Sequence, residues 1–592
     1  LHFALQPFCP QAKGPLIMLF LFLKYATLLL LTLVYGEAMV RLLHRWIQSS
    51  ITAFPFALYS IVGLATLSTA ANLLSLFLPI GFSVKLGVGI IGLLLLLFRF
   101  RQLKDLLRSL QRSFAALTLP AKGAFLFAVL FVLFLTAQPT LSYDEGLYYI
   151  QFIKWAETYP VVPGLGNLHH RFGFNSSWHL LSALFNTSSF TSVEENHFNG
   201  AIYLLVLVHF LTGWQHPKPF LRFLKAAMLV LLTLPHMAVY NLKAPNADII
   251  IYYLFLFCLD VWITAVIMEE EDRLQQLLVV LICLFIITIK PSALPILLLP
   301  ALIVLRWLKQ KRYKPIVALF PVAFLIVAPW LVRNIILSGY LLFPFEKLDL
   351  FSVDWKVPAA NSAEARRLVT ESAYYLYNDA RALQAGSYAQ KLKIWFVNNL
   401  RIYDKLLLLI TVVAPVLFFV LRKALKKEIV LLISCLYAGL LFWFLQAPDP
   451  RFGYAYILPI VMLLIAIVGS HYKLSLHQNF FLLCVIALQL ATVAIYLRFE
   501  KKFVEEGRIK SVSQNTWLLP VPYFSVERKA ANGLPVVSQP TTGDQCWDSP
   551  LPCTYENMNR VELRGKDLRE GFRPVGQIKE YENTDHEAVE RK

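Results

Sequence analysis

Two adjacent carboxylates, Asp144 and Glu145, follow directly on an apolar run and open a polar stretch between apolar runs. That stretch, Ser142 to Trp178, continues through Tyr148, Tyr149 and Trp155 to a turn marked by Pro163-Gly164-Leu165-Gly166. The basic triplet His169-His170-Arg171 and then Asn175-Ser176-Ser177 follow. A carboxylate at the water-facing end of a membrane helix escapes most of the cost of the bilayer centre. It still sits against a low-dielectric wall that raises its pKa toward usefulness as a base. Asp144 is the expected base and Glu145 its understudy; the bland reading is a pair of solvated loop acids or a helix cap. Arg171 offers a planar fork suited to phosphate. His169 and His170 suit phosphate or sugar better than metal, because their spacing matches no established zinc signature and no Cys stands near. Packing within the loop is the competing reading for all three. Asn175 suits sugar hydroxyls, and Asn175-Ser176-Ser177 also matches a glycosylation acceptor pattern.

Further polar residues recur where apolar runs end: Lys243, Asn246 and Asp248, then Lys290, Arg333 and Asn334, and Asp449 and Arg451. Singly, each reads as interfacial snorkelling. Together they predict a polar cavity at one membrane face, framed by helix ends.

The elements that must hold this cavity are membrane helices. Of the 592 residues, 57% are hydrophobic and 16% charged, with a mean hydropathy of +0.58. Repeated apolar runs of about 20 residues suffice to cross a bilayer core. The net charge of +18 is no nucleic-acid signal, because Lys and Arg cluster between apolar runs, as the positive-inside rule requires. Arg99 to Arg112, Arg306 to Lys314, and Arg422 to Lys427 mark cytoplasmic loops. The loops 140–197 and 334–400 and the tail then lie outside. This predicts an all-α polytopic membrane protein of about 14 spans with both ends out. Its parts are N-terminal helices (1–120), a main helical module (121–500) and a small extracytoplasmic tail (501–592). The first run, about 15–40, contains Lys24 and competes with a cleaved signal peptide. The segment Ala363 to Ala380 reads as a surface helix, and Asp260 as facing the bundle interior. Cys546 and Cys553 in the tail suit a disulfide in an oxidising compartment; two free thiols are the alternative.

A span that exits the membrane straight into an acidic motif of a long outer loop resembles the GT-C superfamily of integral-membrane glycosyltransferases. Asp248, at the end of Ala244-Pro245-Asn246-Ala247-Asp248, fits the same plan. More narrowly, four segments resemble a family of bacterial multi-pass proteins with GT-C-like architecture: Asp144 to Trp178, Arg333 to Tyr340, Ala447 to Tyr454, and Gly543-Asp544-Gln545-Cys546-Trp547. The resemblance covers most of the chain from about 121 onward. The three spans before 121 depart from the GT-C plan, in which the acidic loop follows the first helix.

The resemblance implies transfer of a sugar from a polyprenyl-phosphate donor to an extracytoplasmic acceptor at a bacterial inner membrane, with the site facing outward; no cofactor is expected, and a divalent metal stays open as an alternative. Asp144 would take the acceptor proton, and Arg171, His169 or His170, with Arg333 or Arg451, would neutralise the departing lipid phosphate. A transporter or flippase of a lipid-linked glycan needs a similar anion site, but such proteins usually place it at the bilayer midplane between repeats. A membrane scaffold for an envelope assembly is the third reading.

Overall fold

Helices dominate because a backbone in lipid must satisfy its own hydrogen bonds. The computed structural model describes residues 14–48, 54–138, 140–188, 198–270, 272–376, 379–475, 477–505, 526–529 and 536–575. Among these, ten helices are long and apolar enough to cross a membrane. They are Met18–Ile47, Phe56–Leu74, Leu119–Thr136, Ala247–Met268, Pro291–Lys309, Tyr313–Ser338, Ile402–Val420, Lys427–Gln446, Pro450–His471 and Asn479–Lys502.

The other expected spans take different forms. Phe82–Phe98 turns by 84° into the charged helix Phe100–Ala115. Phe198–Gly213 and Arg273–Ile289 have 16 and 17 residues, short for a crossing of about 20. The run at 224–241 is divided between Pro219–Leu231 and Pro235–Asn241, because a proline cannot continue a helix that needs its N–H.

Packing follows the membrane rule that small residues let helices touch. A Cβ on Gly36 would fall 1.7 Å from the Tyr59 carbonyl oxygen, so the first two spans meet backbone to backbone there. Ala247–Met268 is apolar on all sides and buried along most of its length. Its Asp260 faces the interior, as the sequence suggests, and is held by Lys225 at 2.6 and 2.7 Å and by His209 at 2.7 Å.

The bundle has two chemically different ends. At one, Lys426 pairs with Glu269 at 2.7 Å and Lys218 caps the Ile267 carbonyl; Arg306 and Lys309 end the helix Leu298–Lys309 at this end. At the other lie Asp144, Asp248, Lys290, Arg333 and Asp449. The tail docks at this second end. It forms two antiparallel strand pairs, Val526–Lys529 with Val537–Pro540 and Val561–Leu563 with Phe572–Pro574. A second apolar core joins Phe152, Trp155, Leu165 and Phe172 of the acidic loop to Val537, Val561 and Phe572 of the tail. The second long loop carries the expected surface helix as Ala359–Tyr375.

Candidate functional site

Asp144 leads into a π-helical turn, Glu145–Tyr149, that continues as the helix Ile150–Thr158. Single π turns recur at functional sites because they re-aim the side chains on either flank. The Asp144 carboxylate is partly buried and makes no hydrogen bond or ion pair among the described residues. Glu145, its neighbour, is buried. Burial raises its pKa to about 7, against the opposing effects of a hydrogen bond with Thr140 and the charge of Lys243. The two adjacent acids therefore sit in different surroundings, Asp144 partly exposed and Glu145 folded into the protein.

One helical turn on from Asp144, the rings of Tyr148 and Tyr149 meet edge to face at 4.5 Å, and Tyr149 lies 4.7 Å from the His179 ring. Burial pushes both phenols up, and the carboxylates of Asp144 and Asp248 push the same way. The two acids therefore act on one aromatic pair from different helices. Burial brings the His179 imidazole down to about 3, and the charge of Lys290 acts in the same direction, so the ring is neutral. The Asn246 amide donates to the Tyr149 hydroxyl at 3.3 Å, tying the head of the helix Ala247–Met268 to the acidic loop.

Asp248 stands in the first turn of that helix and pairs with Lys290 at 2.6 Å. The Lys290 ammonium also lies 3.8 Å from the centre of the Phe452 ring. Asp449 caps the helix Pro450–His471 by accepting the Arg451 amide at 2.9 Å, and binds the Arg451 guanidinium at 2.7 and 2.9 Å. Arg451 stands in the field of Asp248 and Asp144 as well as Asp449. Two helix N-termini, each a partial positive charge, thus open toward the same acids and cations. A narrow crevice of about 10 Å³, lined by Asp248, Ser292, Arg451, Phe452 and Tyr456, runs beside them. A larger cavity of about 330 Å³ lies at the opposite end, among Glu269, Glu270, Arg306 and Lys426.

The remaining sequence candidates divide. The Arg171 guanidinium lies 5.8 Å from the Tyr148 ring centre and 5.9 Å from that of Phe174, beside the acids. Asn175 and Arg333 are occupied with packing. Asn175 exchanges hydrogen bonds with Trp330 at 3.1 and 3.3 Å, and Arg333 reaches Asn175 at 3.3 Å and Ser75 at 2.7 Å. His169 and His170 turn toward the tail, where His170 Nδ1 lies 2.6 Å and His169 Nδ1 3.3 Å from Oε1 of Glu556. Burial brings the His169 imidazole down to about 3. Burial alone would raise Glu556, but the two imidazoles hold it below its usual value. Cys546 and Cys553 are joined as a disulfide, with Cα atoms 6.0 Å apart.

Sequence reasoning passed over Tyr148, Tyr149 and the role of Glu556. The spacing Asp144 to Tyr148 is one helical turn, a signal available to pattern reading. Nothing in the sequence points from the triplet at 169–171 to Glu556.

Residues 18–458, well over half of the chain, match the family model described as Domain of unknown function (DUF8201). Searches of curated proteins and of solved structures found no match.

Proposed function

The chain belongs to the DUF8201 family, and we propose that it is a membrane glycosyltransferase that moves a sugar from a polyprenyl-phosphate donor to an acceptor hydroxyl outside a bacterial inner membrane. The observation that supports this reading is the Asp144 carboxylate, without a hydrogen bond or ion pair among the described residues, at the end of the bundle that also carries Arg171, Arg451 and Lys290. A base and a leaving-group anion site are the two parts that such a transfer requires.

In the proposed step, the acceptor oxygen attacks the anomeric carbon while its proton passes to Asp144. The bond from that carbon to the phosphate oxygen breaks, and the lipid phosphate departs with the electron pair. Arg451, Lys290 and Arg171 balance the negative charge that develops there, and preorganised charge of this kind is usually the largest catalytic contribution. Glu145, buried beside Asp144 and held toward its neutral form by that burial, is not assigned the acceptor proton. Tyr148 and Tyr149 present an aromatic face on which a sugar ring can pack. The crevice is too narrow for a sugar as it stands, so donor binding moves the side chains of Phe452 or Tyr456.

The outward orientation rests on the Lys/Arg clusters at the opposite end of the bundle and on the disulfide in the tail that covers the acidic loop. Purified protein in lipid vesicles, given a panel of polyprenyl-phosphate sugars and sugar acceptors, tests the reading. Release of free polyprenyl phosphate supports it. Movement of the intact lipid-sugar between leaflets without bond cleavage identifies a flippase instead.

A further inference from the structure

We propose that His169, His170 and Glu556 bind one divalent transition-metal ion, Zn²⁺ by the chemistry of its donors, and that this ion clamps the tail onto the acidic loop. The inference is independent of the sugar-transfer reading. The donor atoms of these three residues all lie within 4.8 Å of one another. Around a tetrahedral ion with bonds of about 2.0–2.1 Å, ligand atoms sit about 3.3 Å apart. His169 Nδ1 is already 3.3 Å from Glu556 Oε1, and His170 Nδ1 needs only to draw back from its 2.6 Å contact.

The hydrogen bonds at His169 argue for a cation. Its Nδ1 accepts the Arg171 amide at 3.1 Å, so the lone pair lies on that nitrogen. The same nitrogen faces Glu556 Oε1, which accepts the His170 amide at 2.7 Å; between Nδ1 and Oε1 themselves two acceptors meet with no proton between them. The proton then sits on Nε2, which is fully buried and has no hydrogen-bond partner among the described residues. Placing the proton on Nδ1 instead sets it against the Arg171 N–H and leaves the Nε2 lone pair unmet. Neither tautomer satisfies the ring. A metal ion between Nδ1 and Oε1 turns the facing acceptors into two ligands, taking the Nδ1 lone pair from the Arg171 N–H.

Two imidazoles and a carboxylate favour zinc over calcium or magnesium, which prefer oxygen donors. Three protein ligands also leave a fourth position for water. His170 and Glu556 keep 15% and 22% of their side-chain surface exposed, so that position reaches solvent. The surroundings fix the donors. The His169 ring packs against Phe172 at 4.8 Å and Tyr555 at 5.1 Å, and the Thr554 hydroxyl donates to the Leu168 carbonyl at 2.9 Å. The ion would thus join segments 386 residues apart in sequence.

The test is titration of the full-length, chelator-stripped protein in detergent with Co²⁺ and then Zn²⁺. The expected result is one Co²⁺ per chain with the visible absorption of a four-coordinate site, displaced by one equivalent of Zn²⁺. Glu556→Gln and His170→Gln should each weaken Co²⁺ binding by about 100-fold or more. Mass spectrometry of the unreduced variants should still find Cys546 bonded to Cys553, showing a folded tail. Wild-type protein that takes up no stoichiometric Co²⁺ at millimolar concentration overturns the proposal, whatever the variants do. Variants that keep the tail disulfide and bind Co²⁺ like wild type overturn it as well.

Discussion

A Cβ atom on Gly146 would fall 2.3 Å from the indole of Trp547, whose backbone N–H donates to the Gly146 carbonyl at 2.9 Å. The turn that carries Asp144 is therefore seated against the tail. Gln151 extends the seat by donating to the carbonyls of Trp547 and Ser549 at 2.8 and 2.9 Å. Gly146→Ala should lift the tail from the loop and cost about 1–3 kcal/mol, the usual range for overpacking a tight contact. Limited proteolysis reads this directly, as faster cleavage within the tail than in wild type. An unchanged digestion pattern would mean that the contact is not a tight one.

Glu145 gives the protein a pH dependence of known sign. Its pKa is about 7 in the folded protein against an ordinary value of 4.5, so the fold prefers the neutral acid. That preference contributes fully below the ordinary value and is lost as pH rises through about 7. A shift of this size corresponds to something on the order of 3 kcal/mol. Wild-type thermal stability should fall between about pH 4.5 and pH 7, whereas Glu145→Gln should flatten that limb of the curve. Parallel curves for the two proteins would show that another group is responsible.

Lys290 and Asp248 should be energetically coupled. Either Lys290→Met or Asp248→Asn alone leaves a charge without its partner, and the double substitution removes both. The ammonium is about a third exposed, so screening limits the coupling to about 1 kcal/mol. A double-mutant cycle on unfolding measures it, and strictly additive effects would deny the pair.

The proposed outward orientation of Asp144 rests on the Lys and Arg that gather at the opposite end of the bundle. In a background lacking Cys9, a membrane-impermeant thiol reagent applied to intact cells should label Thr158→Cys, an exposed position on the acidic loop, and spare Lys311→Cys, exposed at the other end. The inverse labelling would place the site in the cytoplasm, facing nucleotide sugars.

Much of this organisation is legible before folding. Hydropathy locates the ten long spans, and Lys/Arg alternation assigns Asp144, Asp248 and Asp449 to one side. The Asp449–Arg451 pair is local, a cap and its neighbour, and so can be read from spacing. The pair of Asp248 and Lys290 cannot, because it depends on two helix ends meeting. In sequence Arg333 looks like a site residue because it is polar at a span end, and Asn175 because it lies in the polar loop near His169, His170 and Arg171; packing instead joins them to each other and Asn175 to Trp330. Pro235 divides a run that hydropathy alone counts as continuous. The contact of His169 and His170 with Glu556 depends on how the tail docks, which no local pattern encodes.

In the proposed transfer, Asp144 accepts the proton of the attacking hydroxyl. Asp144→Asn preserves size and most hydrogen bonding but cannot take that proton. At equal expression and with unchanged binding of the lipid-linked donor, its turnover should fall by about 10²-fold or more, while Glu145→Gln retains most of the wild-type rate. An Asp144→Asn protein that releases polyprenyl phosphate at a near-normal rate would contradict the account.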